Sequence, residues 1–487
     1  MALFENITLG SFVFVLYALE IMIAFAVVFL ERKNPPATLA WLMVLFLFPV
    51  GGIVLYFLFS QNIARKRIYR LTQNERRHLE EPLQKQIEEV VHGNFGYANK
   101  EEAKWKDLIL LNQNYAMSFL TQDNRISIMT DGNHMFESLL ADIAEAKFSI
   151  NIEYFIVKKD VTGRKLFDAL IEKAREGIEV RLLLDALGSR FNKKHYKVQE
   201  FLDAGGRFAL FFPPKISFVN FRFNYRNHRK IVVIDDKTGY IGGFNIGDEY
   251  LGKKQRFGNW RDTHIRVQGD CINDLNATFC MDWRLSSKED ILIEKIYGKP
   301  SNDAGHTSIQ IVNSGPNSVR EEVRHAYLKM ITSAKKNIYI QSPYFIPDNS
   351  IFDSLVNAAH SGVDVRIMIP CMPDHIFVYW ATYYYCGLLL KSGVKVYVYD
   401  NGFLHAKTIA VDGEVCSVGS ANFDIRSFRL NFESNAIIFD PNETYQMESI
   451  FESDMAESHE LTRQLYSQRS LFIKFKEGIA KLLSDIL

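Results

Sequence analysis

The distribution of apolar and polar positions divides the chain into two unlike parts. Residues 10–30, "GSFVFVLYALEIMIAFAVVFL", are 21 positions with a single charge, Glu20, and residues 39–59, "LAWLMVLFLFPVGGIVLYFLF", are 21 more with none. Each run has about the 20 residues that a helix needs to cross a bilayer core of roughly 30 Å. With only Glu31 to Thr38 between them, the two runs predict a transmembrane helical hairpin over residues 1–60. A cleaved signal peptide is the rival pattern, but the extreme N-terminus carries no Lys or Arg and a second apolar run follows at once. Pro49, Gly51 and Gly52 leave a re-entrant second segment open, and Glu20 is either functional or neutralised within the hairpin.

Beyond residue 60 the pattern changes to short β-branched runs alternating with amphipathic stretches, and it repeats. "NHRKIVVIDDKTGYIGGFN" (227–245) has a partner in "LHAKTIAVDGEVCSVGSAN" (404–422). His228, Lys230, Asp235, Gly242, Gly243 and Asn245 match His405, Lys407, Asp412, Gly419, Ser420 and Asn422 at a constant offset of 177 residues. Upstream, "SINIEYFIVKKD" resembles "NIYIQSPYFIPD", and "AREGIEVRLLLD" resembles "AHSGVDVRIMIP". Each half reads as a strand, an amphipathic helix ending at a glycine, a second strand, and later a strand pair around a turn. Strands alternating with helices predict an α/β fold, with one α/β sandwich per half and pseudo-twofold symmetry between the halves. The implied divisions are 1–60, the hairpin; 61–115, a basic juxtamembrane linker; 116–300 and 301–465, the two halves; and 466–487, an amphipathic C-terminal helix.

Composition sets limits on function. The 487 residues carry 57 basic and 57 acidic side chains, so the chain lacks the global positive field that accompanies non-specific nucleic-acid binding. Five cysteines with no CxxC pair suggest neither a disulfide framework nor a zinc ribbon. After Phe59, Arg65, Lys66, Arg67, Arg70, Arg76 and Arg77 outnumber Arg32 and Lys33 of the link, which places the bulk of the chain on the cytoplasmic side, near anionic lipid head groups.

One His-x-(Lys/Arg)-x4-(Asp/Glu) match means little, since roughly 0.16 are expected by chance in a chain of this composition. Two with matching downstream spacing mean more than duplicated structural hairpins, because residues i and i+2 of a strand share a face. His228 with Lys230 and His405 with Lys407 can then face each other and, with Asn245 and Asn422, form one cationic, donor-rich pocket. That pocket suits a phosphodiester: the lysines and amides meet its non-bridging oxygens, one neutral imidazole attacks phosphorus, and the other protonates the leaving alcohol. A phosphohistidine intermediate follows, and no metal or cofactor is called for, as there is no HExxH, clustered carboxylate set or P-loop.

These motifs resemble the phospholipase D superfamily, marked by two HxKxxxxD motifs followed by GGxN or GSxN, and more narrowly the bacterial cardiolipin synthases. "NYRNHRKIVVIDDKTGYIGGFNIGDEYLG", "WRDTHIRVQG", "FCMDW", "QSPYFIPD", "RSFRLNFESNAII" and the two-helix N-terminus carry the likeness over nearly the whole chain. The resemblance implies two phospholipase D-like halves, His228 as nucleophile and His405 as acid and base. It also implies a carboxylate about thirty residues downstream of each histidine to brace it, here Asp262 and Glu433. Asp235 and Asp412, part of the motif set, are expected to hold the motifs together rather than touch substrate. The implied reaction transfers a phosphatidyl group between two phosphatidylglycerol molecules at a bacterial inner membrane. The alternatives are a hydrolytic phospholipase D, a transferase using phosphatidylethanolamine as co-substrate, a nuclease on the same fold, or an inactive lipid-binding scaffold. The sequence sets no oligomeric state. Aromatics interleaved with polar residues at 374–387 and 220–226 fit either a membrane surface or the core. The C-terminal "SLFIKFKEGIAKLLSDIL", with Lys474, Lys476 and Lys481, fits either a bilayer surface or a helix packed on the catalytic body.

Overall fold

In the computed structural model the described residues are 14–15, 17–19, 21–25, 35–48, 51–53, 55–56, 68–69, 71–213, 224–289, 291 and 304–482. The chain forms two compact units, Met1–Arg65 with Pro214–Asn224, and Lys66–Pro213 with Tyr225–Leu487. In the first, the helix Pro35–Leu47 is 13 residues long, and Ile23, Leu45 and Tyr56 form a small buried cluster. Among the described residues no helix is long and apolar enough to cross a membrane. Parts of both predicted spans, including Glu20 and Pro49, lie outside the described residues, as do Arg65, Lys66, Arg67, Arg70 and most of the aromatic stretch 220–226.

The second unit is built on a sheet of fifteen strands whose order reads the same outward in both directions. At its centre Thr121–Met129 pairs with Thr307–Ser314, antiparallel. Outward from the first run His264–Gln268, Thr238–Gly242, Lys230–Ile234, Ser149–Tyr154, Glu179–Asp185 and Arg207–Phe211. Outward from the second run Glu433–Ile438, Val415–Gly419, Thr408–Val411, Asn337–Gln341, Asp364–Pro370 and Lys395–Tyr399, closed by Ser458–Glu460. The repeated sequence is thus a repeated topology, with each motif strand in the middle of its half. One apolar cluster, including Ile231, Val233, Ile265 and Val267 of the first half and Ile309, Ala410, Val418 and Ile438 of the second, spans both and fastens them into a single body.

The segment read as a linker is not one. Gln73–His92 and Lys106–Ala116 are helices, the first opened by a Thr72–Glu75 capping box, and Trp105, Leu108 and Ile109 are buried in the core of the second half. Apolar residues at 105, 108 and 109 sit on one helical face, and the charges around them mask that stripe in the sequence. At the other end, the C-terminal helix covers Leu471–Leu482.

Each motif strand ends in a tight turn whose two central residues have positive φ: Asp235 and Asp236 at 53°, and Asp412 and Gly413 at 58° and 69°. Such turns match the twist of a hairpin, which is why Asp and Gly occupy them. Both motif aspartates spend their carboxylates here. Asp235 accepts the backbone N–H groups of Lys147, Phe148 and Ser149 at 2.7–2.8 Å, and Asp412 those of Lys335, Lys336 and Asn337 at 2.7–3.0 Å. They clamp the turn to the start of the neighbouring strand. Removing the acceptor leaves three N–H groups to be resolvated, so Asp412→Ala should lower unfolding free energy by about 2–3 kcal/mol in chemical denaturation, and Asp412→Asn by less. Equal stability of Asp412→Ala and the wild type would contradict the clamp.

Candidate active site

The strand geometry brings His228, Lys230, His405 and Lys407 into one buried region. His228 and His405 are each less than a tenth exposed, and both lysines are 1% exposed. Each lysine turns its Nζ toward the carbonyl oxygen of its own motif histidine, Lys230 at 2.6 Å and Lys407 likewise. The charges of the two halves act on each other: Lys407 opposes protonation of His228 and of Lys230.

The imidazoles are braced across the halves rather than within them. Nδ1 of His228 lies 3.0 and 3.1 Å from the carboxylate oxygens of Glu433 and 3.0 Å from the carbonyl of Ser420, all in the second half. Nδ1 of His405 lies 2.5 Å from Oδ2 of Asp262, in the first half. Both downstream carboxylates lie against motif imidazoles, but each against the histidine of the other half, which corrects the same-half pairing that the resemblance implied. Backbone pairing dictates the exchange. The His228 N–H donates to Phe432 O at 2.9 Å and the His405 N–H to Arg261 O at 2.7 Å. Phe403–Leu404 pairs in parallel with Trp260–Arg261, and Asn227 bridges Phe432 in the same sense. The carboxylate beside Nδ1 favours a proton there and leaves Nε2 as the free ring nitrogen; at His405 the Lys407 Nζ also lies 2.9 Å from Nδ1.

Asn245 accepts the Ile156 N–H at 3.1 Å, and Asn422 Oδ1 is buried without a partner. Asp235 and Asp412 stand at the turns, away from the imidazoles. Among the described residues, no group of three or more His, Cys, Asp or Glu side chains is placed to hold a metal ion.

Burial sets the charge state. It pulls His405 down to about 4, helped by Lys407 and opposed by Asp262, and it pulls His228 below its ordinary value against the opposing pull of Glu433. Lys230 is pulled down to about 7, by burial first and Lys407 in part, and Lys407 is lowered as well. Burial alone would raise Asp262 and Glu433, but their cationic neighbours overcome it and hold both carboxylates below the usual range. Before substrate binds, the site at pH 7 thus holds ionised braces and neutral imidazoles, which is what a nitrogen nucleophile requires.

Known proteins resemble the chain over nearly its whole length. The family profile described as "Cardiolipin synthase, PLD-like domain" matches residues 139–260 and 327–455, and one described as Phospholipase D-nuclease N-terminal matches residues 21–61. The major cardiolipin synthase ClsA of Bacillus subtilis (strain 168) is 48% identical over 475 residues, 97% of this chain and 98% of that one. The chain belongs to the cardiolipin synthase family of the phospholipase D superfamily. Cardiolipin synthases of Listeria innocua, at 46% over 97% of this chain and 98% of the relative, and of Staphylococcus aureus (strain Mu50), at 46% over 99% and 98%, extend the match. The crystal structure of phosphatidylserine synthase from Haemophilus influenzae Rd KW20 shares the fold, with TM-score 0.59 at 16% identity over 79% of this chain and all of that one.

Within this cardiolipin synthase family member, sequence reading missed the arginines that hold the braces. Arg229, between His228 and Lys230, faces away from the site and donates from Nε to the Glu433 carbonyl at 3.2 Å, while its Nη1 meets Asp282 at 2.5 Å. The Tyr69 hydroxyl also donates to Asp282. In the other half Arg261 donates to the Asp262 carbonyl and is anchored by Asp454, with Nε–Oδ1 at 3.0 Å. An arginine directly beside a motif histidine or a brace carboxylate was the available signal. Gly243, matched with Ser420 in the repeat, carries a constraint that the repeat alone does not reveal: a Cβ there would lie 1.9 Å from Oδ1 of Asp262, whereas Ser420 donates its hydroxyl to Glu433. Gly243→Ala should therefore displace Asp262, costing about 1–3 kcal/mol of stability and at least about tenfold in kcat. Ser420→Ala should leave the fold intact and reduce kcat less. Steady-state kinetics with thermal unfolding of both variants checks this ordering.

Proposed function

We propose that this enzyme joins two phosphatidylglycerol molecules into cardiolipin and glycerol through a phosphohistidine on His228. The observation that carries the reading is the pair of His-Lys sets in one buried region, each imidazole held at Nδ1 by a carboxylate of the other half. Named cardiolipin synthases matching nearly end to end support the substrate assignment.

Nε2 of His228 attacks phosphorus of the first phosphatidylglycerol. Lys230, Lys407 and the amides of Asn245 and Asn422 take up the charge that grows on the non-bridging oxygens. The P–O bond to the glycerol breaks, and His405, protonated once the phosphate anion is bound, gives its Nε2 proton to that oxygen. Glycerol leaves and a phosphatidyl-His228 remains. His405, now neutral, takes the proton from the terminal hydroxyl of a second phosphatidylglycerol. That oxygen attacks phosphorus, the P–N bond breaks, and cardiolipin leaves with His228 restored. One phosphodiester replaces another, so no nucleotide energy is spent. The reading includes work at a membrane, where both substrates reside, with the catalytic body on the cytoplasmic face.

Labelled phosphatidylglycerol in liposomes should yield cardiolipin and glycerol, and phosphatidic acid as the sole product would overturn the transferase assignment. The roles of the histidines separate with an aryl phosphodiester whose leaving group needs no proton. His228→Ala should abolish the burst and the acid-labile phosphohistidine, whereas His405→Ala should retain the burst. The opposite pattern would reverse the roles.

The lowered Lys230 gives a pH signature. Its pKa, near 7 before substrate binds, rises when a phosphodiester anion settles beside it. Between those two values binding takes up a proton, so affinity for a short-chain phosphodiester should weaken as pH rises above about 7. Calorimetry in two buffers of different ionisation enthalpy should detect the uptake at pH 8, and an affinity that is flat from pH 6 to 9 would contradict it.

A further inference from the structure

The helix Leu471–Leu482 has one face fixed and one face unused. Its buried side, Glu477 and Ala480, rests on the helix Ile376–Leu389, where Ala480 joins Ile346 and Ala381 in a small core. Glu477 is paired there with Arg469 at 2.8 Å. Lys476 and Lys481 lie over the rings of Trp380 and Tyr384, each at 5.2 Å. On the opposite side, Leu471 and Leu482 are 83% and 82% exposed, and Phe472 and Phe475 are 65% and 63% exposed.

At about 100° per residue, Leu471, Phe472, Phe475, Ile479 and Leu482 fall within one arc of about 100°. Lys476 borders it on one side, and Lys474 and Lys481 on the other. The helix that receives it adds Ile376 and Phe377, both more than half exposed, at its N-terminal end. Asp374, two residues earlier, is close enough to act on the charges of His405 and Lys407, so this apolar pair adjoins the catalytic region.

We propose that the outer face of this helix is a docking surface for a phospholipid leaflet carrying anionic head groups. The inference rests on the lipid-transfer reading of the active site. An apolar arc with large aromatic and leucine side chains, bordered by lysines on both sides, is the pattern of a helix lying in the interfacial plane. Its lysines add attraction to anionic head groups within a Debye length. A second copy of the chain docked on the same face would bring its own bordering lysines against Lys474, Lys476 and Lys481, whereas anionic head groups neutralise them, which favours a leaflet over self-association. Docking would hold the catalytic region near the head groups it processes.

The test uses the full-length chain with two substrates, phosphatidylglycerol in vesicles and a water-soluble aryl phosphodiester. The double variant Phe472→Ser with Phe475→Ser should lose at least about fivefold in turnover on vesicles and keep the wild-type burst on the soluble substrate. Lys474→Gln with Lys481→Gln should show a smaller loss on anionic vesicles that vanishes at high salt. In the wild type, hydrogen exchange of amides 471–482 should slow on adding phosphatidylglycerol vesicles and not on adding phosphatidylcholine vesicles. Unchanged vesicle turnover in the Phe variant, an equal loss on both substrates, or wild-type self-association that the variant abolishes would each overturn the docking face. A wild type with no burst on the soluble substrate would instead overturn the catalytic reading.

Discussion

The hydrogen bond from each motif imidazole to a carboxylate of the opposite half is the constraint on which the catalytic body depends. His228 rests on Glu433 and His405 on Asp262, so neither half contains a complete site. A buried carboxylate without a cation is costly, and a buried imidazole without an acceptor has no fixed tautomer, so the crossing makes each half the solution to the other's desolvation problem. The shared apolar cluster and the parallel contacts at Phe403–Leu404 and Asn227 deliver the pairs to within hydrogen-bond distance. Function and assembly of the two halves are one requirement in this chain.

Within that symmetry the repeat has diverged in matched steps. The first half places the short Asp262 against Gly243, where no side chain fits, and the second places the longer Glu433 against the hydroxyl of Ser420. Carboxylate length and the small-residue position have thus changed together. Behind the braces, Arg229 with Asp282 and Arg261 with Asp454 fix the backbone of Glu433 and Asp262, yet the position after His405 is Ala406, so the two arginines enter from different places in the repeat. Tyr69, from the stretch that follows the second apolar run, reaches only the first of these networks. The asymmetry suits a reaction in which one imidazole is phosphorylated and the other only moves protons.

What the sequence made legible follows from range. The β-branched runs after His228 and His405, the Asp and Gly turns, and the repeated order of elements are local patterns, and they appear as hairpins in equivalent places of the sheet. The two His-Lys sets were recognisable because strand periodicity puts i and i+2 on one face. Which carboxylate braces which histidine was not legible, because in-chain spacing favours the nearer partner while the contact is made by backbone pairing across about 140 to 205 residues. The helices at 73–116 were hidden for a related reason: their stripe around Trp105 becomes a core face only against the second half. Parts of the N-terminal apolar runs, Glu20 and Pro49 among them, lie outside the described residues.

The most direct test of the crossed site is nitrogen-edited NMR of the histidine side chains, following the Nδ1 proton of each motif imidazole in the full chain. Glu433→Gln should shift the Nδ1 resonance of His228 and leave that of His405 in place, and Asp262→Asn should do the reverse. If Glu433→Gln instead moves His405 and Asp262→Asn moves His228, each half braces its own histidine and the crossed site is wrong.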